Sequence, residues 1–209
     1  MNHHNALTPY FDHYNESEGL FSYLETFYTL HHSLDTWEHC QKVATEARRL
    51  AATYDVEPVI AEQAGWLHDI GTVVPNDDKV RLCKDLNISV LDEEQVFPYI
   101  LHQKLSREMT VQVFGLSNSL LLNAIECHTT LKNDMSTMDK VLFVADKLSW
   151  DNADAAPYIK EMRIKASESL DAAAVVYLNH VWKNREHMKV VHPWLIEARE
   201  ILIQNVHKV

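Results

Sequence analysis

The sequence predicts an all-α protein built as a helical bundle, and three observations support this fold class. Only 4 glycines and 6 prolines occur among 209 residues. Long stretches repeat apolar residues at spacings of three and four, which is the pattern of amphipathic helices. A hydrophobic content of 46% is sufficient for one sizeable core. We therefore expect helices to dominate and sheet to be scarce.

The chain length fits one compact domain with a short extension. We expect residues 1–32 to form an N-terminal helical extension and residues 33–209 to form the main domain. Within the extension, residues 19–32 have aromatic and leucine residues at helical spacing. Four of these could form a homodimer patch, although covering the domain's own core is the favoured use. They are Phe21, Tyr23, Phe27 and Tyr28.

Two helices are expected in the first third of the main domain. Asp35 and Glu38 have the spacing of a capping box, and the helix that they would begin places His39 on its apolar face. Pro58 suits the first turn of the next helix. Gly71 is a natural end for it. This second helix therefore carries the sequence QAGWLHDIG in its last turns.

The middle of the chain predicts three helices. A short one is expected near residues 78–87, and a longer one is expected over residues 99–115, with His102 on its apolar face. Asn118 is a candidate N-cap for the third helix, which His128 closes. Both histidines therefore fall on inward faces or at a helix end.

The last third begins with a second predicted capping box, formed by Ser136 and Asp139. The helix that follows, residues 138–149, places Asp146 on its core stripe. The remaining helices are expected at residues 155–165, 168–185 and 193–206. No internal repeat or linker supports a second domain.

The net charge of −11 and the absence of a basic run argue against a nucleic-acid groove. The N-terminal residues lack the apolar core of a signal peptide, and no run approaches the roughly 18 apolar residues of a membrane span. We therefore predict a cytoplasmic protein that binds neither nucleic acid nor membrane. The cysteines, which are Cys40, Cys83 and Cys127, are odd in number and widely spaced, so we expect reduced thiols.

A set of metal-competent side chains recurs on inward helical faces or at helix ends. It comprises His39, His68, Asp69, His102, His128 and Asp146. A single inward histidine is more often a satisfied core residue, but an ordered set on separate helices favours a metal centre. Six imidazole and carboxylate groups suit two ions. Without thiolates they favour Fe, Mn, Co or Zn, and iron is our preferred assignment. The other histidines, including His31, His32, His180, His187 and His192, are expected to be surface or structural residues.

Five segments carry a resemblance to a known family. They are WEHCQKVATEA, AGWLHDIG, LHQKLSRE, AIECHTTLKNDMSTMDKVLFVADK and HPWLIEARE. Across roughly residues 33 to 200, the chain resembles the HD superfamily of metal-dependent phosphohydrolases. It is more similar still to the YqeK family of symmetrical diadenosine tetraphosphate hydrolases. The resemblance implies hydrolysis of diadenosine tetraphosphate to two molecules of ADP.

The resemblance also implies a role for each member of the metal-competent set. One ion would be held by His39, His68, Asp69 and Asp146. A second ion would be held by Asp69, His102 and His128. Asp69 would bridge the two, and with His68 it would form the catalytic pair beside a hydroxide that attacks phosphorus.

Three departures from the family pattern alter its basic groups. Thr72 stands where the family has lysine, residues 131–134 read Leu-Lys-Asn-Asp in place of Gly-Arg-Pro-Gly, and Asn152 replaces an arginine. Arginine and lysine bind phosphate well, so these changes predict an altered substrate preference. The candidates to compensate as substrate-binding residues are Lys132, Lys147 and Arg107.

Three other functions remain open on the sequence. The protein could be another HD-type nucleotidase, although an alarmone hydrolase is less favoured because HDIG lacks the acidic pair of those enzymes. It could be a non-catalytic HD module that binds a nucleotide or a protein partner as a sensor. It could also be a helical scaffold with incidental histidines, which predicts no stoichiometric metal.

Overall fold

The computed structural model describes residues 4–11, 19–150 and 156–207. Within these ranges the regular structure is helical and no strand is present, so the predicted all-α class is confirmed. The α-helices are α1 (His4–Leu7), α2 (Leu20–Leu30), α3 (Leu34–Thr53), α4 (Pro58–Leu67), α5 (Asn76–Asp85), α6 (Asp92–Val96), α7 (His102–Phe114), α8 (Ser119–Cys127), α9 (Thr137–Leu148), α10 (Ile159–Lys165), α11 (Leu170–Lys183) and α12 (Pro193–Val206). Short 3₁₀ turns include Ile70–Val73 and Pro98–Leu101.

Helices α3 and α4 pack closely because Gly65 has no side chain. A Cβ atom built on Gly65 would lie 2.6 Å from the backbone nitrogen of Ala44. Ala61 and Ala64 continue this buried stripe of small residues along α4. Helix α3 also packs against α9, and α4 contacts α9, so these three helices pack against one another.

Two residues that were expected to mark helix boundaries do not do so. Helix α3 begins at Leu34 with Ser33 as its N-cap, so Asp35 lies in the first turn and forms no capping box with Glu38. Helix α4 ends at Leu67, and Gly71 lies inside the following 3₁₀ turn. A Cβ on Gly71 would lie 2.9 Å from the backbone nitrogen of Ser106, so the glycine permits a close approach to α7.

Both predicted caps in the second half of the chain are confirmed. Asn118 Oδ1 accepts hydrogen bonds from the backbone nitrogens of Leu120 at 3.0 Å and Leu121 at 3.2 Å. At the start of α9, Ser136 N donates to Asp139 Oδ2 at 2.8 Å and Asp139 N donates to Ser136 Oγ at 3.2 Å. These caps define the beginnings of α8 and α9.

The segment before α7 contains structure that periodicity did not predict. This segment contains the short helix α6 and a 3₁₀ turn at Pro98–Leu101. Helix α7 follows the turn and begins at His102 rather than at residue 99. Phe97 has an extended φ of −132°, as expected for a residue before proline. Further along, the predicted helix 155–165 is observed as α10, while Ala155 lies outside the described residues.

Helix α2 uses its aromatic residues to cover the core. Tyr23, Phe27 and Tyr28 are buried, and the Tyr28 ring stacks on Trp37 of α3 at a centroid distance of 5.6 Å. Phe21 is 41% exposed. The division into residues 1–32 and 33–209 stays a prediction, as does the homodimer.

The structure also bears on the state of the cysteines and on the expected absence of a membrane span. Cys40, Cys83 and Cys127 are free and buried, as expected of reduced thiols. Among the described residues, no helix has both the length and the apolar character needed to cross a membrane.

Candidate metal centre

The structure brings all six members of the metal-competent set together where several helices meet. His39 lies on α3, His68 and Asp69 follow the last residue of α4, and His102 begins α7. His128 follows the last residue of α8, and Asp146 lies on α9. Because helix ends carry three of the histidines, short changes in helix length would separate them.

One half of the centre is organised around Asp146. Asp146 Oδ1 lies 3.0 Å from His39 Nε2 and 4.0 Å from His68 Nε2. One ligand atom from each of these three residues falls within 4.8 Å of the other two. A single ion could therefore contact all three side chains.

The other half is organised around Asp69, whose two oxygens face different histidines. Oδ2 lies 3.5 Å from His68 Nε2. Oδ1 lies 3.2 Å from His102 Nε2 and 3.4 Å from His128 Nε2. Asp69 thus lies between the two halves and can contact an ion in each.

Backbone carbonyls orient three of the histidine rings. The Nδ1–H groups donate to Gly65 O from His68 at 2.8 Å, to Tyr99 O from His102 at 2.7 Å, and to Ile125 O from His128 at 2.9 Å. With Nδ1 protonated, each neutral ring presents the lone pair of Nε2 to the centre. This is the orientation of a histidine that binds a metal.

The facing lone pairs require a positive partner. The Nε2 atoms of His102 and His128 lie 3.0 Å apart, and the one hydroxyl hydrogen of Thr129, at 3.2 and 3.1 Å from them, can serve only one. His68 Nε2 is buried and has no hydrogen-bond partner. Leaving such groups unpaired is costly, so the residues present fit a bound cation.

The protonation states also suit metal binding. Burial lowers the pKa of His128 to about 4, against the opposing effect of Asp69, and burial likewise lowers the pKa of His68. Burial alone would raise the pKa of Asp69, but the neighbouring His68, His102 and His128 side chains outweigh burial and hold this pKa well below its usual range. Neutral imidazoles and an ionised carboxylate are the forms that bind metals.

The centre opens into a cavity of about 960 Å³. Its wall includes acidic, basic and aromatic side chains: Asp35, Glu38, Lys42, Tyr99, Trp150, Tyr158, Tyr177 and His180. The sequence did not single out these aromatic residues, because helical spacing does not show whether an aromatic side chain faces the core or a cavity. His180, which was expected to be a surface or structural residue, contributes to the wall.

Of the three predicted substrate-binding residues, only Lys147 lines the cavity. Its Nζ is paired with Asp146 Oδ2 and donates to His128 O at 3.2 Å. Lys132 and Arg107 instead lie beside Glu126, each with an N···O distance of 3.7 Å. Their charges are therefore partly neutralised away from the cavity.

The positions where the chain departs from the family pattern have different surroundings. Thr72 lines the cavity, and its hydroxyl donates to the backbone carbonyl of Asp69 at 2.6 Å, so it holds the backbone at this residue. Leu131, where the family has glycine, is buried with a φ of 56°, a left-handed conformation that favours glycine. Asn152 lies outside the described residues.

Comparison with known proteins gives a family match over this region. A family model for the HD domain matches residues 36–151, which is more than half of the chain and includes all six residues of the centre. A protein of Lactococcus lactis subsp. cremoris, described as an uncharacterized protein in the pepC 5' region, is 42% identical over 139 residues. That alignment covers 66% of this chain and 70% of the relative.

A second relative and a crystal structure extend the comparison. The symmetrical bis(5'-nucleosyl)-tetraphosphatase of Staphylococcus aureus is 30% identical over 116 residues, 53% of this chain and 56% of that protein. This chain thus spans just over half the length of that relative. The crystal structure of a predicted HD superfamily hydrolase involved in NAD metabolism from Clostridium acetobutylicum matches with a TM-score of 0.82 and 25% identity. This structural match covers 93% of the present chain and 100% of the Clostridium acetobutylicum chain.

Proposed function

The chain belongs to the HD-domain family, and on this premise we propose that it is a metal-dependent phosphohydrolase that cleaves diadenosine tetraphosphate symmetrically into two molecules of ADP. The name of the Staphylococcus aureus relative supports this choice of substrate. The six clustered side chains support the reaction class, because imidazoles and carboxylates around a cavity are the usual setting of metal-assisted hydrolysis.

One observation supports the metal role above all others. The Nε2 atoms of His102 and His128 face each other at 3.0 Å beside Asp69 Oδ1, while both Nδ1–H groups are already committed to backbone carbonyls. Neutral rings in this arrangement lack a hydrogen to share between them. A cation that accepts both lone pairs and the carboxylate resolves the conflict.

The proposed centre holds two ions. His39, His68, Asp69 and Asp146 would bind the first ion, and Asp69, His102 and His128 would bind the second. Nitrogen and oxygen donors suit iron, manganese, cobalt or zinc, and iron remains our preferred metal. When bound, such ions polarise a phosphoryl oxygen and lower the pKa of water.

The protein's own groups orient the centre and the substrate. Asp69 joins the two halves, and Lys147 holds Asp146 Oδ2 so that Oδ1 faces His39. The nucleotide would enter the cavity with its phosphates toward Asp69. Trp150 and Tyr158 offer aromatic faces in the cavity wall against which adenine can stack.

A second candidate, hydrolysis of a nucleotide with fewer phosphates, is favoured by the charge of the cavity wall. Asp35 and Glu38 line it, Thr72 replaces the family lysine, and Lys132 and Arg107 lie beside Glu126. A tetraphosphate chain is highly anionic and benefits from several cations. We therefore expect a raised KM for diadenosine tetraphosphate compared with relatives that keep those basic groups.

Product analysis in ¹⁸O-labelled water tests the proposal. Metal-loaded protein incubated with diadenosine tetraphosphate should release only ADP, with the label in ADP. Formation of AMP and ATP would contradict symmetrical cleavage. Turnover confined to mononucleotides would favour the nucleotidase, and a metal-loaded protein that cleaves none of these compounds would favour the sensor.

A further inference from the structure

A second buried polar cluster lies outside the cavity wall. It consists of Glu94 on α6, Lys104 on α7 and His192 before α12. Their exposed fractions are 0%, 6% and 2%. His192 begins the segment HPWLIEARE, which the sequence resemblance included but which the proposed chemistry does not use.

Glu94 is the centre of this cluster. Its Oε2 accepts hydrogen bonds from Lys104 Nζ and from the backbone nitrogen of Leu91, both at 2.8 Å. Its Oε1 lies 3.3 Å from His192 Nε2. Burial alone would raise the pKa of Glu94, but the hydrogen bonds from His192 and Leu91 and the Lys104 charge lower it. Glu94 is therefore an ionised carboxylate with three donors.

His192 connects the cluster to the last helix. Its Nδ1 accepts a hydrogen bond from the backbone nitrogen of Trp194 at 3.3 Å, so His192 is the N-cap of α12. With Nδ1 as acceptor, Nε2 carries the hydrogen and donates to Glu94. The Trp194 ring also lies beneath Lys104 Nζ at 4.9 Å. The start of α12 thus touches both members of the ion pair.

The ion pair brackets the turn that orients His102. Glu94 precedes this turn and Lys104 follows His102 by two residues, while Tyr99, whose carbonyl accepts from His102 Nδ1 at 2.7 Å, lies between them. The Glu94–Lys104 contact closes this loop. Any movement of α6 relative to α7 would therefore displace the Tyr99 carbonyl and rotate the His102 ring.

We propose that Glu94, Lys104 and His192 are positioning residues for His102, so that the His-Pro-Trp start of α12 supports the metal centre from outside the cavity. This inference rests on the metal role of His102 in the proposed function. Replacing a buried ion pair with apolar residues is often neutral or stabilising, so a defined geometry is what this pair supplies. Mutation of the groups that orient metal-binding histidines commonly lowers metal affinity by about 10- to 100-fold.

The variant His192→Asn isolates the link to Glu94. Asparagine is a favoured N-cap and keeps the cap of α12, but its side chain is too short to reach Glu94. In a Co²⁺ titration followed by absorption, we expect affinity for the ion at Asp69, His102 and His128 to fall about tenfold. Affinity at the Asp146 half should change less, and the helical circular dichroism should be retained.

A matched control loosens α12 elsewhere. Arg199 on α12 donates from Nε and Nη2 to Asn179 Oδ1 of α11 at 3.1 and 2.9 Å. Arg199→Met should lower thermal stability without changing Co²⁺ affinity. If it weakens Co²⁺ binding as much as His192→Asn does, the effect is a general loss of stability and the inference is wrong.

A double variant keeps the inference testable if His192→Asn fails to fold. Glu94→Gln with Lys104→Met removes both buried charges together, and we expect the same selective loss of Co²⁺ affinity. Wild-type affinity in either folded variant would overturn the positioning role while leaving the proposed function intact. A wild-type protein that binds no Co²⁺ would overturn the metal role of His102 and the inference with it.

Discussion

Asp69 and Asp146 are carboxylates of the same centre, yet their surroundings assign them different tasks. Both oxygens of Asp69 face histidine nitrogens, with His68 on one side and His102 and His128 on the other. Asp146 offers Oδ1 to the centre, and its Oδ2 is paired with Lys147. Asp69 is therefore the residue that joins the two halves, and Asp146 serves one half only.

The variant Asp146→Asn should weaken metal binding without unfolding the protein. The change removes a charge but little volume. It leaves the buried ammonium group of Lys147 without its carboxylate partner, beside the proposed first ion. We expect metal affinity to fall at the Asp146 half and to be retained at the half formed by Asp69, His102 and His128. Isothermal titration with Mn²⁺ measures this, and undiminished affinity at both steps would contradict the ligand role of Asp146.

At the level of single residues, the sequence was most informative about the centre itself. Six polar side chains on inward faces of separate helices stood out against an apolar background, and the structure brings them together. The surrounding cations were harder to place. Spacing along the chain could not show that Lys132 and Arg107 lie beside Glu126, because a long side chain can turn toward whichever acid is nearest.

Close packing of α3 against α4 brings His39 and His68 together. Gly65 allows α4 to approach the backbone of α3 at Ala44. Gly65→Ala should therefore separate the two helices and destabilise the fold by about 1–3 kcal/mol, as overpacking generally does. Urea unfolding measures the stability, and a Co²⁺ titration should show weaker binding at the His39 and His68 half.

Gly115→Ala is the matched control for this change. No atom lies within 4 Å of a Cβ at Gly115, but its φ of 66° is unfavourable for alanine. We expect a loss of about 1 kcal/mol from left-handed strain with unchanged metal affinity. Equal Co²⁺ affinities in the two variants would show that the α3 and α4 contact does not organise the centre.

At the level of elements, periodicity predicted the long helices but not how their ends are built. Caps with a specific side-chain pattern, at Asn118 and at Ser136, were predictable because the hydrogen bonds are local. The prediction that Gly71 ends a helix is wrong. Sequence alone does not distinguish a glycine that ends a helix from one that permits a close approach to another helix, here α7. Helix α6 is too short to produce a periodic signal.

For the whole molecule, Lys79 predicts how stability depends on pH. Its side chain is buried and donates to Val74 O at 2.6 Å, and burial lowers its pKa from 10.5 to about 8. Between these two values the unfolded chain binds a proton that the folded chain has lost. The contribution of Lys79 to the free energy of unfolding must therefore increase as the pH rises through this window.

Urea denaturation at several pH values tests this sign with Lys79→Met as the reference. The variant lacks the titrating group, so the stability of the wild type relative to the variant should rise from about pH 8 to about pH 10.5. A difference that stays constant, or that falls with pH, would show that the Lys79 pKa is not depressed by burial.

The central claim is that the folded chain holds transition-metal ions at Asp69 and its neighbouring histidines, and elemental analysis of the purified protein tests it most directly. The wild type should carry about two transition-metal ions per chain. His68→Ala and Asp69→Ala should lose most of this metal while keeping their helical circular dichroism, because the apolar faces of the bundle do not depend on the centre. A folded wild type without stoichiometric metal, or variants that retain the full metal content, would contradict the account.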